Sequence, residues 1–197
     1  MSRTGVRLSG GRFGGRRLTV PATARPTEGR VREALMSMWG EKVVDARVLD
    51  LFAGSGAVGF EALGRGAVWL TAIDREPAAI RELRANRTRL GAEASSEVLR
   101  LGLPAGLRRG PTEPYDLVFA DPPYRFERYG ELLVLLERWL APLGDLAIEH
   151  APSTELETTA SLHLIDRRTW GDTAISFFHR SEVVEPVTRL DPLTLLP

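Results

Sequence analysis

The sequence predicts an α/β fold: a mostly parallel, seven-stranded sheet with helices on both faces and an antiparallel hairpin at its C-terminal end. Three observations predict it. Strand-like and helix-like periods alternate from Arg47 to His150, a glycine-rich turn follows the first strand of that run, and the alternation stops after Pro152.

The elements follow in order. In "RPTEGRVREALMSMWGEKV", Pro26 breaks the preceding chain, Thr27 can cap, and Val31, Leu35, Met38 and Trp39 fall on one helical stripe that reads as core packing. "RVLDLFA" is a short apolar strand, "VGFEALGRG" a helix closed by glycine, and "AVWLTAID" a second strand. "EPAAIRELRANRTRLG" is a helix with Pro77 in its first turn and Gly91 past its end. "SEVLRL" and "YDLVFAD" give two more strands, "GELLVLLERWL" a helix and "GDLAIEH" a fifth strand. "SLHLIDRRTWG" and "DTAISFFHRS" then read as two strands turning at Gly171 and Asp172, a hairpin that closes the sheet edge. The last stretch, "EVVEPVTRLDPLTLLP", has three prolines and no period. The expected division is a basic arm over 1–25, a main domain over 26–180 and a tail over 181–197.

Composition narrows the function classes. At 197 residues the chain can bury one substantial core. There is no cysteine, which removes disulfides, thiolate metal sites and cysteine nucleophiles. His150, His163 and His179 lack ligand spacing, so no metal site is expected. No stretch is long and apolar enough for a membrane helix, and the N-terminus lacks the apolar region of a secretory signal, so a cytoplasmic address and no membrane partner are expected.

The net charge of zero conceals an asymmetry. Residues 1–32 hold eight arginines (Arg3, Arg7, Arg12, Arg16, Arg17, Arg25, Arg30, Arg32) against Glu28, a net charge of +7, so the remainder carries −7. A basic arm on an acidic body suits a phosphate-backbone ligand, because each neutralised phosphate releases counterions. Arg12, Arg16, Arg17, Arg25, Thr27, Arg30 and Arg32 are the candidate contacts to nucleic acid.

Gly54, Gly56 and Gly59 form G-x-G-x-x-G directly after a strand and at a helix start, the setting of a nucleotide-binding turn. Tight strand-to-helix packing accounts well for Gly59 and less well for the other two. Asp74, at the end of the next strand, is placed to accept from ribose hydroxyls. Two cofactors compete for such a turn. A nicotinamide cofactor would bring a pyrophosphate, which Asp50, four residues before Gly54, would disfavour. S-adenosylmethionine brings an ammonium and a sulfonium, and Asp50 suits the ammonium if it faces the ligand rather than capping the following helix.

The stretch "FADPPYR" completes the reading. Asp121 ends the fourth strand, beside the crevice where open α/β sheets bind ligands. Its carboxylate and the Pro122 carbonyl can accept both hydrogens of an exocyclic amino group and aim the nitrogen lone pair at a methyl donor. Pro122 and Pro123 stiffen the loop, and Tyr124 offers a face for a base to stack on. A positive charge develops on that nitrogen as methyl transfers, so Asp121 also stabilises the transition state.

"DPPY" at Asp121–Tyr124 resembles motif IV of the Rossmann-like, class I amino-group methyltransferases. Together with "SGGRFGGRRLTVP", "RPTEGRVREAL", "LDLFAGSGAVGFEALGRGA" and "WGDT", it is similar to the RsmD family, whose members methylate the N2 of a guanine in small-subunit (16S) ribosomal RNA. The resemblance spans about residues 8–180. It implies that Asp50, Phe52, Ala53, Gly54, Ser55, Gly56, Asp74 and Arg75 bind S-adenosyl-L-methionine. It also implies that Asp121, Pro122, Pro123 and Tyr124 hold the guanine, and that the N-terminal segment helps hold ribosomal RNA, in the small subunit or an assembly intermediate. A monomer is expected. The chain departs from the family at Gly29, usually aspartate, at Asp74, often glutamate, and at "GLPAGL", which lacks the acid that often receives the adenine amino group. The alternatives are a DNA amino-methyltransferase, a protein-glutamine methyltransferase, a nicotinamide oxidoreductase, or a noncatalytic RNA-binding protein on this fold.

Overall fold

The structure is a computed structural model that describes residues 3–21 and 29–182. Arg25, Thr27 and residues 183–197 of the expected tail lie outside the described residues. Two strands, β1 (Arg3–Arg7) and β2 (Arg17–Val20), form an antiparallel hairpin. Helix α1 (Gly29–Trp39) leads into β3 (Arg47–Leu51), α2 (Ala57–Gly64), β4 (Trp69–Asp74), α3 (Pro77–Leu90) and β5 (Ser96–Arg100). After β6 (Tyr115–Ala120) come α4 (Tyr129–Leu136), β7 (Leu140–His150), β8 (Leu162–Trp170) and β9 (Thr173–Arg180).

The main sheet has seven strands in the order β5-β4-β3-β6-β7-β9-β8. Strands β3 to β7 pair in parallel, and β9 inserts antiparallel between β7 and β8. The fold class read from the periods is therefore the observed one. Strands β3, β4 and β6 are almost continuously apolar because helices cover both faces. One buried cluster on α1, α2 and α3 fills the first face, and a second around α4, Tyr115 and Trp139 fills the other. The chain order reverses between β3 and β6, which opens a crevice at their C-terminal ends.

Details differ from the sequence reading where tertiary contacts decide. On α1 the buried stripe is Val31, Leu35, Met36 and Trp39, with Met38 only partly buried. Strand β7 starts at Leu140 rather than Gly144: Leu140 pairs with Tyr115, and a register irregularity then sets Asp145 against Leu117. The N-terminal hairpin is docked on the body. Val6, Leu8, Phe13, Leu18 and Val20 are buried in the first cluster, and each such side chain contributes about 1.5 to 3 kcal/mol at most. Buried Glu61 of α2 accepts from the Ser9 N–H at 2.8 Å and the Ser9 hydroxyl at 2.7 Å, tying the hairpin down at a second point.

Candidate active site

A cleft of about 480 Å³ occupies the crevice at the β3–β6 reversal. Its walls hold six carboxylate side chains, Asp50, Asp74, Glu76, Asp121, Glu149 and Asp172, against one arginine, Arg75.

On one side the chain leaves β3 in a sharp turn. Phe52 has a φ of 57°, a left-handed conformation uncommon for a side chain of this size, and the Ala53 N–H donates to the Ile73 carbonyl at 3.1 Å. Asp74 holds the glycine loop: one oxygen accepts from Gly54 N–H at 3.0 Å and the other from Glu76 N–H at 2.9 Å. Asp50 is 2% exposed, and one of its oxygens accepts from the Gly59 N–H of α2 at 3.0 Å. Asp50 thus lines the cleft and also caps an otherwise unpaired helix donor, so the two roles weighed from sequence are combined. Burial raises its pKa to about 8; the Gly59 hydrogen bond opposes this and the Asp121 and Asp74 charges add to it.

Phe52, Ala53, Gly54, Ser55, Asp74 and Arg75 line the cleft. Gly56 is not among the lining residues. Its φ is 77° at the start of α2, and an added Cβ would lie 2.6 Å from the Phe60 ring and 2.8 Å from Leu83. Packing therefore explains Gly56, as it does Gly59, whose Cβ would meet Leu70 at 2.4 Å.

On the other side the ladder between β3 and β6 continues through the Asp121 N–H to the Leu51 carbonyl at 3.3 Å, which sets Asp121 beside the β3 turn. Pro122 is buried, Pro123 is exposed, and the Pro123 carbonyl accepts from Phe126 N–H at 2.8 Å, closing the loop. Tyr124 is 83% exposed at the cleft rim. All four DPPY residues line the same cleft as Asp50 and Asp74.

Several lining residues escaped the sequence reading. Phe126 packs edge-on against Phe52 at 5.4 Å and Tyr129 at 5.0 Å, making an aromatic wall that ends at His150. Burial lowers the His150 pKa. Its Nδ1 lies 2.8 Å from the Ala151 carbonyl and so donates, which leaves Nε2 to accept from the Ser176 hydroxyl at 2.8 Å. Burial, followed by the Asp121 charge, raises the Tyr129 pKa. Glu149 accepts from the Thr173 hydroxyl at 2.8 Å. Asp172 and Thr173 belong to "WGDT", whose Gly171 and Asp172 read from sequence only as a hairpin turn. Val20 and Pro21, at the end of the hairpin, also form cleft wall.

The candidate nucleic-acid contacts are placed unevenly. Arg12, Arg16 and Arg17 are exposed on the hairpin, with Arg12 over the Phe13 ring at 4.7 Å and Arg16 at 5.8 Å. Arg30 is exposed on α1. Arg32 is buried and donates to the Arg7 carbonyl at 3.0 Å, so it joins α1 to the hairpin instead of facing solvent. Among the described residues no group of His, Cys, Asp and Glu could hold a metal, and no helix is long and apolar enough to cross a membrane.

The strand order and the cleft at its reversal define a Rossmann-like methyltransferase of class I. The sequence profile of the family described as "Conserved hypothetical protein 95" (Cons_hypoth95) matches residues 6–179, and the chain belongs to that family, bearing out the RsmD resemblance. Ribosomal RNA small subunit methyltransferase D of Escherichia coli (strain K12) is 36% identical over 180 residues, covering 89% of this chain and 90% of that protein. The solved structure of yhhF from Escherichia coli has a TM-score of 0.80 at 35% identity, covering 89% of this chain and 98% of its own. A hypothetical protein of Thermus thermophilus has a TM-score of 0.75 at 32% identity, covering 87% of this chain and 98% of its own.

Proposed function

We propose that this protein transfers a methyl group from S-adenosyl-L-methionine to the exocyclic N2 of a guanine in small-subunit ribosomal RNA. The observation that carries the proposal is that Asp121–Tyr124 shares one acid-lined cleft with Asp50, the glycine loop and Asp74. The name of the Escherichia coli relative supports the RNA class.

The cleft residues fit this cofactor. Six carboxylates against one arginine disfavour the pyrophosphate of a dinucleotide and favour a ligand bearing an ammonium and a sulfonium. Asp50 would receive the ammonium, Asp74 the ribose hydroxyls, and Leu103 and Ala79 would pack on the adenine. When bound, the cofactor supplies an electrophilic methyl carbon. The Asp121 carboxylate and the Pro122 carbonyl accept from the amino hydrogens, orienting the nitrogen, and Asp121 stabilises the positive charge that forms there. With the cofactor bound, a C–N bond would form as the S–C bond breaks, and Asp121 or water would take the proton that the nitrogen then loses.

Guanine is favoured by the atom beside the amino group. Guanine presents the N1–H donor on one side of its amino group and bare N3 on the other, whereas adenine and cytosine have a bare ring nitrogen on one side, a carbon on the other and no donor. The cleft beyond Asp121 is walled by the carboxylates Glu149 and Asp172, which accept from a donor and repel a lone pair. An acidic cleft also excludes phosphates, so the base alone enters, extruded from its stack, while the backbone stays on the exposed arginines.

The test is methyl incorporation into unmodified small subunits and into deproteinised RNA, with the product base mapped. N2-methylguanine is expected. N6-methyladenine or N4-methylcytosine would refute the base assignment, and methylation of DNA alone would refute the RNA assignment.

A further inference from the structure

Asn86 sits at the junction of three parts that the proposed function uses separately. It is fully buried on α3. Its Nδ2 donates to the Ser55 carbonyl in the glycine loop at 3.0 Å and to the Thr19 carbonyl of β2 at 2.8 Å. Its Oδ1 accepts from the Thr19 N–H at 2.9 Å, the Thr19 hydroxyl at 2.9 Å and the Arg89 guanidinium at 3.2 Å. Both amide donors are thus used, along with the acceptor capacity of the oxygen. A buried amide this fully committed cannot shift toward one partner without losing another.

Its partners place it between two ligands. Ser55 is flanked by Gly54, which Asp74 holds, and it lines the cofactor side of the cleft. Thr19 precedes Val20 and Pro21, which form cleft wall, and the same strand begins at the exposed Arg17. Next to it Arg16 donates to the Arg89 carbonyl at 3.3 Å, so the basic end of the hairpin also rests on the last turn of α3. Asn86 is therefore one side chain bonded to both β2 and the glycine loop.

We infer that Asn86 is a positioning residue that couples the basic hairpin to the glycine loop, so that RNA on the hairpin and cofactor in the cleft strengthen each other's binding. This rests on the proposed methyl transfer to RNA. Coupling of this kind is reciprocal: whatever factor RNA adds to cofactor affinity, the cofactor adds to RNA affinity.

The experiment measures the dissociation constant of S-adenosylhomocysteine with and without saturating small ribosomal subunits from a strain lacking this enzyme. The wild-type ratio is expected to be about fivefold or more, within the usual range of coupling factors. Asn86→Ala should bring it to about one while the protein stays folded, and Thr19→Val, which removes one bond on the hairpin side only, should leave an intermediate ratio. A purely structural Asn86 would lower stability and both affinities and leave the ratio unchanged, which would overturn the inference. So would a wild-type ratio of one in protein that still methylates the subunits, with the functional reading intact. Absence of methylation by the wild type would remove that reading, and the inference with it.

Discussion

The two halves of the cleft are built to different standards of closure. On the half proposed for the cofactor Asp50 is 2% exposed, Asp74 is 9% exposed, and the hydrogen bonds to Gly54, Glu76 and Gly59 hold each acid in place before any ligand arrives. On the half proposed for the substrate Tyr124 is 83% exposed and Pro123 faces solvent. The difference fits the ligands proposed for each half. A small cofactor can be enclosed by preorganised dipoles, whereas a base still attached to a large RNA needs an open rim and a ring to land on.

The widest separation between the halves should come from Asp121→Ala. Loss of the amino acceptor should cut the turnover rate on the order of 100- to 1,000-fold, as for other groups that act on transition-state charge. Cofactor affinity should stay within a few-fold; by calorimetry, loss of cofactor binding would make Asp121 structural. Next in size is Asp50→Asn. Removing the charge-assisted bond to the ammonium should weaken S-adenosylhomocysteine binding on the order of 10- to 100-fold, while RNA affinity in the absence of cofactor is kept.

The raised pKa of Asp50 adds a pH signature. With a folded pKa of about 8 against an ordinary value of 3.8, the native protein binds more protons than the unfolded chain across that window. Asp50 therefore makes stability fall as pH rises from about 4 toward about 8, and the effect levels off above. Cofactor binding runs the other way. An ammonium selects ionised Asp50, so affinity should rise with pH up to about 8, with proton release that shows as buffer-dependent heats. A flat profile, or one that survives Asp50→Asn, would assign the titration elsewhere.

On the open half, Tyr124→Ala should cost roughly 1 to 3 kcal/mol of base stacking, read as a raised KM for RNA with cofactor affinity unchanged. Smallest per residue should be Arg12, Arg16 and Arg17 replaced by Ser. Each lost phosphate contact should lower the slope of log affinity against log salt by about 0.7 to 0.9. An unchanged slope would move the RNA footprint off the hairpin.

The placing of Asp50, the glycine turn and Asp74 at one cleft was legible because its signals are local. Asp50, the glycine turn and Asp74 lie at the ends of two consecutive strands, and the strand period says where those ends fall. The DPPY loop was legible for the same reason. The packing need at Gly56 was not legible because its crowding comes from Phe60 and Leu83, the latter on α3 and distant in sequence. The rest of the cleft wall was hidden by topology. Phe126 reaches the cleft through the fold of a loop and Tyr129 from the start of α4, and Asp172 and Thr173 reach it only because β9 inserts beside β7. Arg32 looked like its exposed neighbours, and only the packing of α1 on the hairpin turns it inward.

That insertion of β9 also sets an order of events in synthesis. Strands β3, β4 and β5 are complete by Arg100 and neighbours in both sequence and sheet, so their pairing closes short loops and can proceed while the chain is still emerging. Glu149, His150, Asp172 and Thr173 come together only when the last strand slides between two earlier ones. The side of the cleft at Asp50 and Asp74 should form before the wall at Glu149 and Asp172, and pulse-labelled hydrogen exchange should show β3–β5 protected ahead of β9 during refolding.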